Sequence, residues 1–251
     1  MDIKRFVVDK SQINGDNIII DGKEHNHLKN VLRMTSGTNI IVTVFDEFDY
    51  HCEIVDVQKN FTNCKILKKE LNTANPQTDL TVFQALIKGD NMSLVVQKLS
   101  QLGVSKIVPF ESRYVVSKDS ANKVAKLQEV ANQSCKQCDR SISLKVEPVL
   151  KFKQVLEVLK SYDIVIFANE TEGGFDLKKC LTEKLKNKTK VAVIVGSEGG
   201  FSVEEIKSLT SLTNVISVSL GRRILKAETA SISLSAIVLY EMGELNNIWE
   251  K

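Results

Sequence analysis

No stretch of this chain stays apolar for more than about six residues, whereas a bilayer-spanning helix needs ~20. The opening residues, Met1-Asp2-Ile3-Lys4-Arg5-Phe6, hold no apolar segment of the kind a secretory signal requires. The expectation is a cytosolic protein without a membrane anchor. Cysteines number five (Cys52, Cys64, Cys135, Cys138, Cys180), an odd count with no paired framework, which suits a reducing compartment. Cys135 and Cys138 form a CxxC. Zinc would need two more ligands, and the three histidines, His25, His27 and His51, lie far away in sequence. Both thiols fall on the apolar stripe of a helical pattern, where cysteine acts as a small hydrophobe, so no metal is expected. Because every histidine precedes residue 52, the remainder of the chain has no imidazole base of its own. Also missing are the GxGxxG of a dinucleotide fold, a Walker lysine and a GxSxG nucleophile elbow.

What remains is ordinary in bulk: 43% hydrophobic and 26% charged residues in 251, a length comfortable for two domains. Residues 1–72 read as β, with short β-prone runs separated by Asn14-Gly15-Asp16, Asp21-Gly22 and Ser36-Gly37. One helical pattern, Glu24 to Met34, interrupts them through Leu28, Val31 and Leu32. This points to a small barrel. Asn72 to Asp79 is a polar linker containing Pro76, and a second domain is expected over 73–251. There β-branched strands alternate with helical patterns, the sign of a parallel sheet covered on both faces. A helix over Asn91 to Leu102 stops at Gly103, and another over Lys123 to Cys138 carries Val124, Leu127, Ala131, Cys135 and Cys138 at helical steps. Ser202 followed three residues later by Glu205 is a capping box that fixes a helix start.

The net charge of +3 is unevenly placed. Residues 1–72 carry ten basic and eleven acidic side chains, whereas 113–145 hold seven basic against three acidic. Such a local excess attracts phosphates or merely solvates a helix face. Two glycine-bearing segments are more specific. Val195-Gly196-Ser197-Glu198-Gly199-Gly200-Phe201 and Leu220-Gly221-Arg222-Arg223-Ile224-Leu225-Lys226-Ala227-Glu228-Thr229-Ala230 each follow a β-branched run and open into a helical pattern. Both therefore belong at the carboxyl edge of the parallel sheet, where open α/β folds bind ligands. The tetrapeptide Glu198-Gly199-Gly200-Phe201 also occurs as Glu172-Gly173-Gly174-Phe175, best explained as two strand-to-helix turns solved alike.

These two segments resemble the GPEGGF and LGxRILRxETA signatures of the RsmE family, the 16S ribosomal RNA uridine-N3 methyltransferases of the SPOUT superfamily. Further matches follow in collinear order: His27 to Arg33, Ala85 to Asp90, Lys98 to Val104, Glu111 to Val116 and Lys136 to Arg140. Nearly the whole chain is covered. Departures are Ser197 for a common proline, Gln101 for glutamate, Asp139 for glycine and Lys226 for arginine. The resemblance implies an N-terminal PUA-like RNA-binding β-barrel over 1–72 and an α/β SPOUT domain over 73–251. The latter would have its C-terminus threaded into a trefoil knot. It further implies S-adenosylmethionine as cofactor, 16S rRNA of the small subunit as partner (a uridine of the decoding region), and a homodimer.

Three loops would hold the cofactor: Phe167-Ala168-Asn169-Glu170; Val195, Gly196, Ser197, Gly199 and Gly200; and Ser219, Leu220, Gly221, Ile224 and Leu225. Uridine N3 is a weakly acidic imide nitrogen that attacks well only as its anion. The enzyme must help remove that proton and stabilise charge on the ring carbonyls. Arg140 and Arg223 are the expected charge stabilisers, with phosphate clamping as their rival role. Glu198 is a base, an orienter of arginine, or a tie within its own loop. Arg33, Lys88, Arg113 and Lys226 are expected to hold RNA backbone. Because N3 lies on the pairing edge, the target base must be unpaired or flipped out. Alternatives are a SPOUT enzyme acting on a ribose hydroxyl or another base, and a non-catalytic RNA-binding assembly factor.

Overall fold

Alternation of apolar and polar residues along the first β-prone runs places every second side chain on one face, and that face closes over a core. The computed structural model describes residues 3–115, 121–169 and 176–245. It divides into two units: Met1–Asn75 with Cys135–Ser143, and Pro76–Ser134 with Leu144–Lys251.

The first unit is a curled six-stranded sheet. Its strands are β1 (Arg5–Val7), β2 (Ile13–Asn14), β3 (Asn17–Asp21), β4 (Asn39–Thr43), β5 (Phe48–Val57) and β6 (Phe61–Leu71), ordered β1-β4-β5-β6-β3-β2. Only the β1–β4 pair is parallel. The long β5–β6 hairpin shifts register twice, at His51/Cys52 and Ile54/Asp56, and such irregularities bend and twist a ribbon. Phe6, Ile18, Ile20, Leu28, Ile40, Val42, Ile54 and Cys64 fill the interior. The expected helix near Glu24 is a short α1 (Gly22–Asn26) continued by a π-helical turn over His27–Val31.

Placing all of 73–251 in the second domain missed a segment. Cys135–Ser143 belongs to the first unit, held there by polar contacts that sequence order conceals. Arg5 pairs with Asp49 and reaches Asp139 at 3.5 Å. Asn72 donates to the Asp139 carbonyl at 2.7 Å and to the Asp49 carboxylate at 2.8 Å. Asn75 Oδ1 accepts from the N–H groups of Ser141 and Ile142 at 3.0 and 2.8 Å, and Lys136 pairs with Glu24.

The second unit is a parallel sheet. Its strands are β7 (Asp79–Ala85), β8 (Lys106–Glu111), β9 (Lys145–Val146), β10 (Leu150–Lys151), β11 (Ile164–Ala168), β12 (Lys190–Val195) and β13 (Val215–Val218). The order is β10-β8-β7-β12-β11-β13, with β9 also on β8. Along β12, Val191, Val193 and Val195 face one apolar layer while Ala192 and Ile194 face the other. On the first face pack α2 (Asn91–Leu102), α3 (Ala121–Gln137), α5 (Leu177–Lys184) and α7 (Ala227–Glu241). On the second pack α4 (Phe152–Leu159) and α6 (Val203–Thr210). From β13 at one end of the sheet, the chain returns through α7 to pack on β12 and β7 at its centre.

Candidate active site

Parallel strands bring all their carboxyl ends to one edge, so the loops after β7, β8, β11, β12 and β13 share it. Between the neighbours β7 and β12 those loops part company. The β7 loop leads to α2 on one face of the sheet, and the β12 loop leads to α6 on the other. That divergence opens the crevice in which α/β sheets place ligands.

Gln84, fully buried at the end of β7, bridges the crevice. Its Nε2 donates to the Gly196 carbonyl at 3.1 Å and to the Ala85 carbonyl at 2.9 Å. One loop further out, the Lys88 N–H donates to Glu198 Oε1 at 2.8 Å. The Glu198 side chain thus ties the β12 loop to the β7 loop, rather than closing its own loop as one expected role had it. Glu205, which with Ser202 three residues earlier forms the α6 capping box legible in the sequence, does more than cap. Its Oε2 accepts from Ser202 N–H and its Oε1 from Arg113 N–H, both at 2.9 Å. A carboxylate on a residue 7% exposed therefore joins the loop after β8 to the loop after β12.

The β12 loop is glycine-rich because its backbone is crowded. A Cβ on Gly196 would meet the Phe201 ring at 3.0 Å, and one on Gly199 would stand 2.8 Å from Tyr114 Cβ. Phe201 anchors the loop's far end, edge-on to Phe167 at 5.1 Å and stacked on Phe110 at 6.2 Å. Within the loop the Gly200 N–H donates to the Ser197 carbonyl at 3.0 Å. Ser197 Oγ and Gln84 Oε1 are buried and have no hydrogen-bond partner among the described residues. Buried polar atoms of this kind call for a partner, and both lie at the crevice.

The described parts of the three loops expected to hold the cofactor follow β12, β11 and β13, which are successive neighbours in the sheet. Val195 ends β12, and Phe167 and Ala168 end β11. The Asn169 N–H continues the ladder to the Val218 carbonyl at 3.0 Å. The Phe167 side chain is buried in the core, so only its backbone faces the edge. Glu170, together with the second Glu-Gly-Gly-Phe, lies outside the described residues. After β13, the Gly221 N–H donates to Ser219 Oγ at 3.3 Å, and Leu220 and Leu225 pack on the core. Arg223 and Lys226 are exposed on the same loop as Ile224, which is 87% exposed. Lys88 and Arg113 are exposed on their loops, Arg113 within 3.3 Å of Glu204.

Two expected residues belong to the first unit. Arg33 is exposed, with a left-handed φ of 52°. Arg140 is 2% exposed, and its carbonyl accepts from the Cys135 thiol at 3.1 Å. Burial raises the Cys135 pKa to about 12, which keeps that thiol protonated and a poor nucleophile or ligand. Among the described residues no group of three His, Cys, Asp or Glu side chains is placed to hold a metal ion. None of their helices is long and apolar enough to cross a membrane.

This edge belongs to a known pattern. Residues 73–239 match an RNA methyltransferase domain and residues 20–67 an RNA methyltransferase PUA domain. The chain belongs to the RNA methyltransferase family. It is 31% identical over 228 residues to the Ribosomal RNA small subunit methyltransferase E of Bacillus subtilis, covering 87% of this chain and 88% of that one. It is 28% identical to the Rickettsia conorii protein of the same name, covering 95% and 96%. The crystal structure of a Neisseria gonorrhoeae Ribosomal RNA small subunit methyltransferase E bound to S-adenosyl methionine superposes with a TM-score of 0.85. That superposition covers 95% of this chain and 98% of the other at 22% identity, which establishes the shared fold.

Sequence reasoning found the glycine loops and missed three residues that build the site around them: Gln84, Glu205 in its bridging role, and Tyr114. Glu205 carried a signal in its capping box, but its second bond spans 92 positions of sequence.

Proposed function

We propose that this protein methylates 16S rRNA of the small ribosomal subunit at a uridine N3, using S-adenosylmethionine bound at the carboxyl edge of the second unit. The observation that carries this reading is the carboxyl edge of the parallel sheet, where the loops after β12, β11 and β13 follow neighbouring strands. The β12 loop there packs so closely on Phe201 and Tyr114 that Gly196 and Gly199 have no room for a Cβ, and Ser197 Oγ in it and Gln84 Oε1 at the end of β7 are buried without a partner among the described residues. Names borne by family members matching nearly end to end support the substrate class. Residues at the ends of β11, β12 and β13 would hold the cofactor: Ala168 and Asn169, Gly196 to Gly200, and Ser219 to Leu225. When bound, it supplies an electrophilic methyl group.

The chain's own part is to hold and polarise the acceptor. Arg223, exposed on the β13 loop, offsets negative charge on a uracil carbonyl as N3 loses its proton. Glu198, fixed through Oε1 by the Lys88 N–H, keeps the loop in shape and presents a carboxylate at its surface. Burial withdraws Arg140 from this part, so we give the charge-stabilising role to Arg223 and treat Arg140 as structural. Lys88, Arg113 and Lys226 hold phosphates of the RNA, with Arg33 contributing from the first unit. Pairing of two copies, as the superfamily resemblance implies, is part of the same proposal, and so is a cytoplasmic location.

The test is transfer of a tritiated methyl group to small subunits from a strain lacking this protein. The product nucleotide is then mapped by mass spectrometry, with calorimetry of S-adenosylmethionine alongside. Wild-type protein is expected to bind the cofactor and label one uridine. Arg223→Ala is expected to lower kcat by at least tenfold with unchanged cofactor affinity. Absence of cofactor uptake by folded protein, or label at a ribose, overturns the reading.

A further inference from the structure

Most aromatic side chains of the second unit are spent on its interior. Phe83, Phe110 and Phe167 are fully buried, and Phe152 and Phe201 pack against them. Tyr114 is different. It stands at the crevice rim with 50% of its surface exposed, and its seat is fixed from two sides. An ideal Cβ on Gly199 would lie 2.8, 3.4 and 3.7 Å from Tyr114 Cβ, Cγ and Cδ2, so the tyrosine lies directly on the bare backbone of the β12 loop. On the other side, the backbone of Arg113 is bound to the buried Glu205 carboxylate, which also holds Ser202 at the end of that loop. The loop after β8 thus presents a half-exposed aromatic ring next in sequence to one exposed cation, Arg113, while a second, Lys88, has its N–H bonded to Glu198, the residue before Gly199.

We propose that Tyr114 is a stacking platform for an unpaired base of the RNA substrate, a role that rests on the RNA methylation proposed above. A uridine whose N3 is to react has left its pair and its neighbours, and it loses stacking that the protein must replace. A pinned tyrosine does this at low entropic cost, because only two torsions are ordered. Every base has a π-face, so the contact strengthens binding without reading sequence. The two exposed cations take phosphates of the same strand.

The ring face, rather than the hydroxyl, is what the role requires, and that separates it from hydrogen bonding and from packing. Full-length wild type, Tyr114→Phe and Tyr114→Leu are titrated with a single-stranded, uridine-containing oligoribonucleotide by fluorescence anisotropy over a range of salt concentrations. S-adenosylmethionine calorimetry and methyl transfer are measured on the same preparations. Tyr114→Phe is expected to bind RNA within about twofold of wild type. Tyr114→Leu, which keeps an apolar contact with Gly199, is expected to bind about 5- to 150-fold more weakly, the range for one base stacked on an aromatic side chain. Its salt slope should be unchanged, since no phosphate contact is lost, and cofactor affinity should be the same in all three. RNA affinity unaltered in Tyr114→Leu overturns the proposal. So does a Tyr114→Phe loss equal to that of Tyr114→Leu, or a parallel loss of cofactor affinity. Wild type that methylates RNA, with Tyr114→Leu binding and methylating it equally well, sinks the platform alone. Wild type that binds cofactor but transfers no methyl sinks the broader reading.

Discussion

Gly199 and Tyr114 illustrate how single residues decide this site. Gly199 is not among the glycines with left-handed φ, so its requirement is purely steric: a methyl group has no room beside the tyrosine. Overpacking of this kind costs about 1–3 kcal/mol. Gly199→Ala should therefore destabilise the protein by that amount in urea, and Tyr114→Gly in the same chain, which removes the Cβ that the new methyl group would meet at 2.8 Å, should recover most of it. The double-mutant cycle is expected to show a coupling of about 0.5–3 kcal/mol, and additive effects would mean that the two residues are not in contact. The glycine order was legible in the sequence because a strand-to-helix loop at a sheet edge needs close backbone approach. The identity of what approaches was not legible, since Tyr114 arrives on a different strand.

Among the elements, those with strong periodicity were read closely. The helix Asn91–Leu102 and the strand Val215–Val218 stand where expected, and Gly103 ends the former at a left-handed φ of 100°. The helix Phe152–Leu159 was passed over, although Phe152, Val155, Leu156 and Leu159 recur at helical spacing and pack on the sheet. At eight residues it is short enough for tertiary burial, rather than its own periodicity, to determine it. The start of β12 depends on an electrostatic anchor outside the expected site. Asp163 Oδ2 accepts from the N–H groups of Thr189 and Lys190 at 3.0 Å each, and these bonds, Lys190 first, lower its pKa below 3.8. A carboxyl group with a lowered folded pKa stabilises the fold fully above the unfolded value and loses that contribution as pH falls through the folded one. Asp163→Asn should consequently show a smaller fall in melting temperature between pH 5 and pH 3 than wild type. Equal falls would remove Asp163 from acid sensitivity.

At the scale of the whole molecule, the least legible feature was the division of the chain. Residues Cys135–Ser143 join a unit that begins some 130 positions earlier, and no composition shift marks the change. Their seat is a set of paired charges and amides around Arg5, Asp49 and Asn72, which looks unremarkable along the sequence until the chain is folded. Cys135 enters a unit that also buries the thiols of Cys52 and Cys64, and burial pushes all three pKa values up to about 12. In the unfolded chain these thiols ionise near 9.0, so the stability gained by keeping them protonated is complete below that pH and lost as pH rises above it. Urea unfolding at pH 8 and pH 10.5 should show a marked alkaline loss. Cys52→Ala with Cys64→Ala should reduce that loss, and an unchanged pH dependence would rule the thiols out as its source.

The order of strands in the second unit also governs when it can be completed during translation. β12 occupies the position between β7 and β11, yet it is encoded after both. A nascent chain that has released β7, β8 and β11 still lacks the strand that joins them, and no contact between sequence neighbours can substitute for it. The middle of the sheet must remain open until residue 195 has emerged, leaving apolar edges exposed to solvent and to chaperones for most of synthesis.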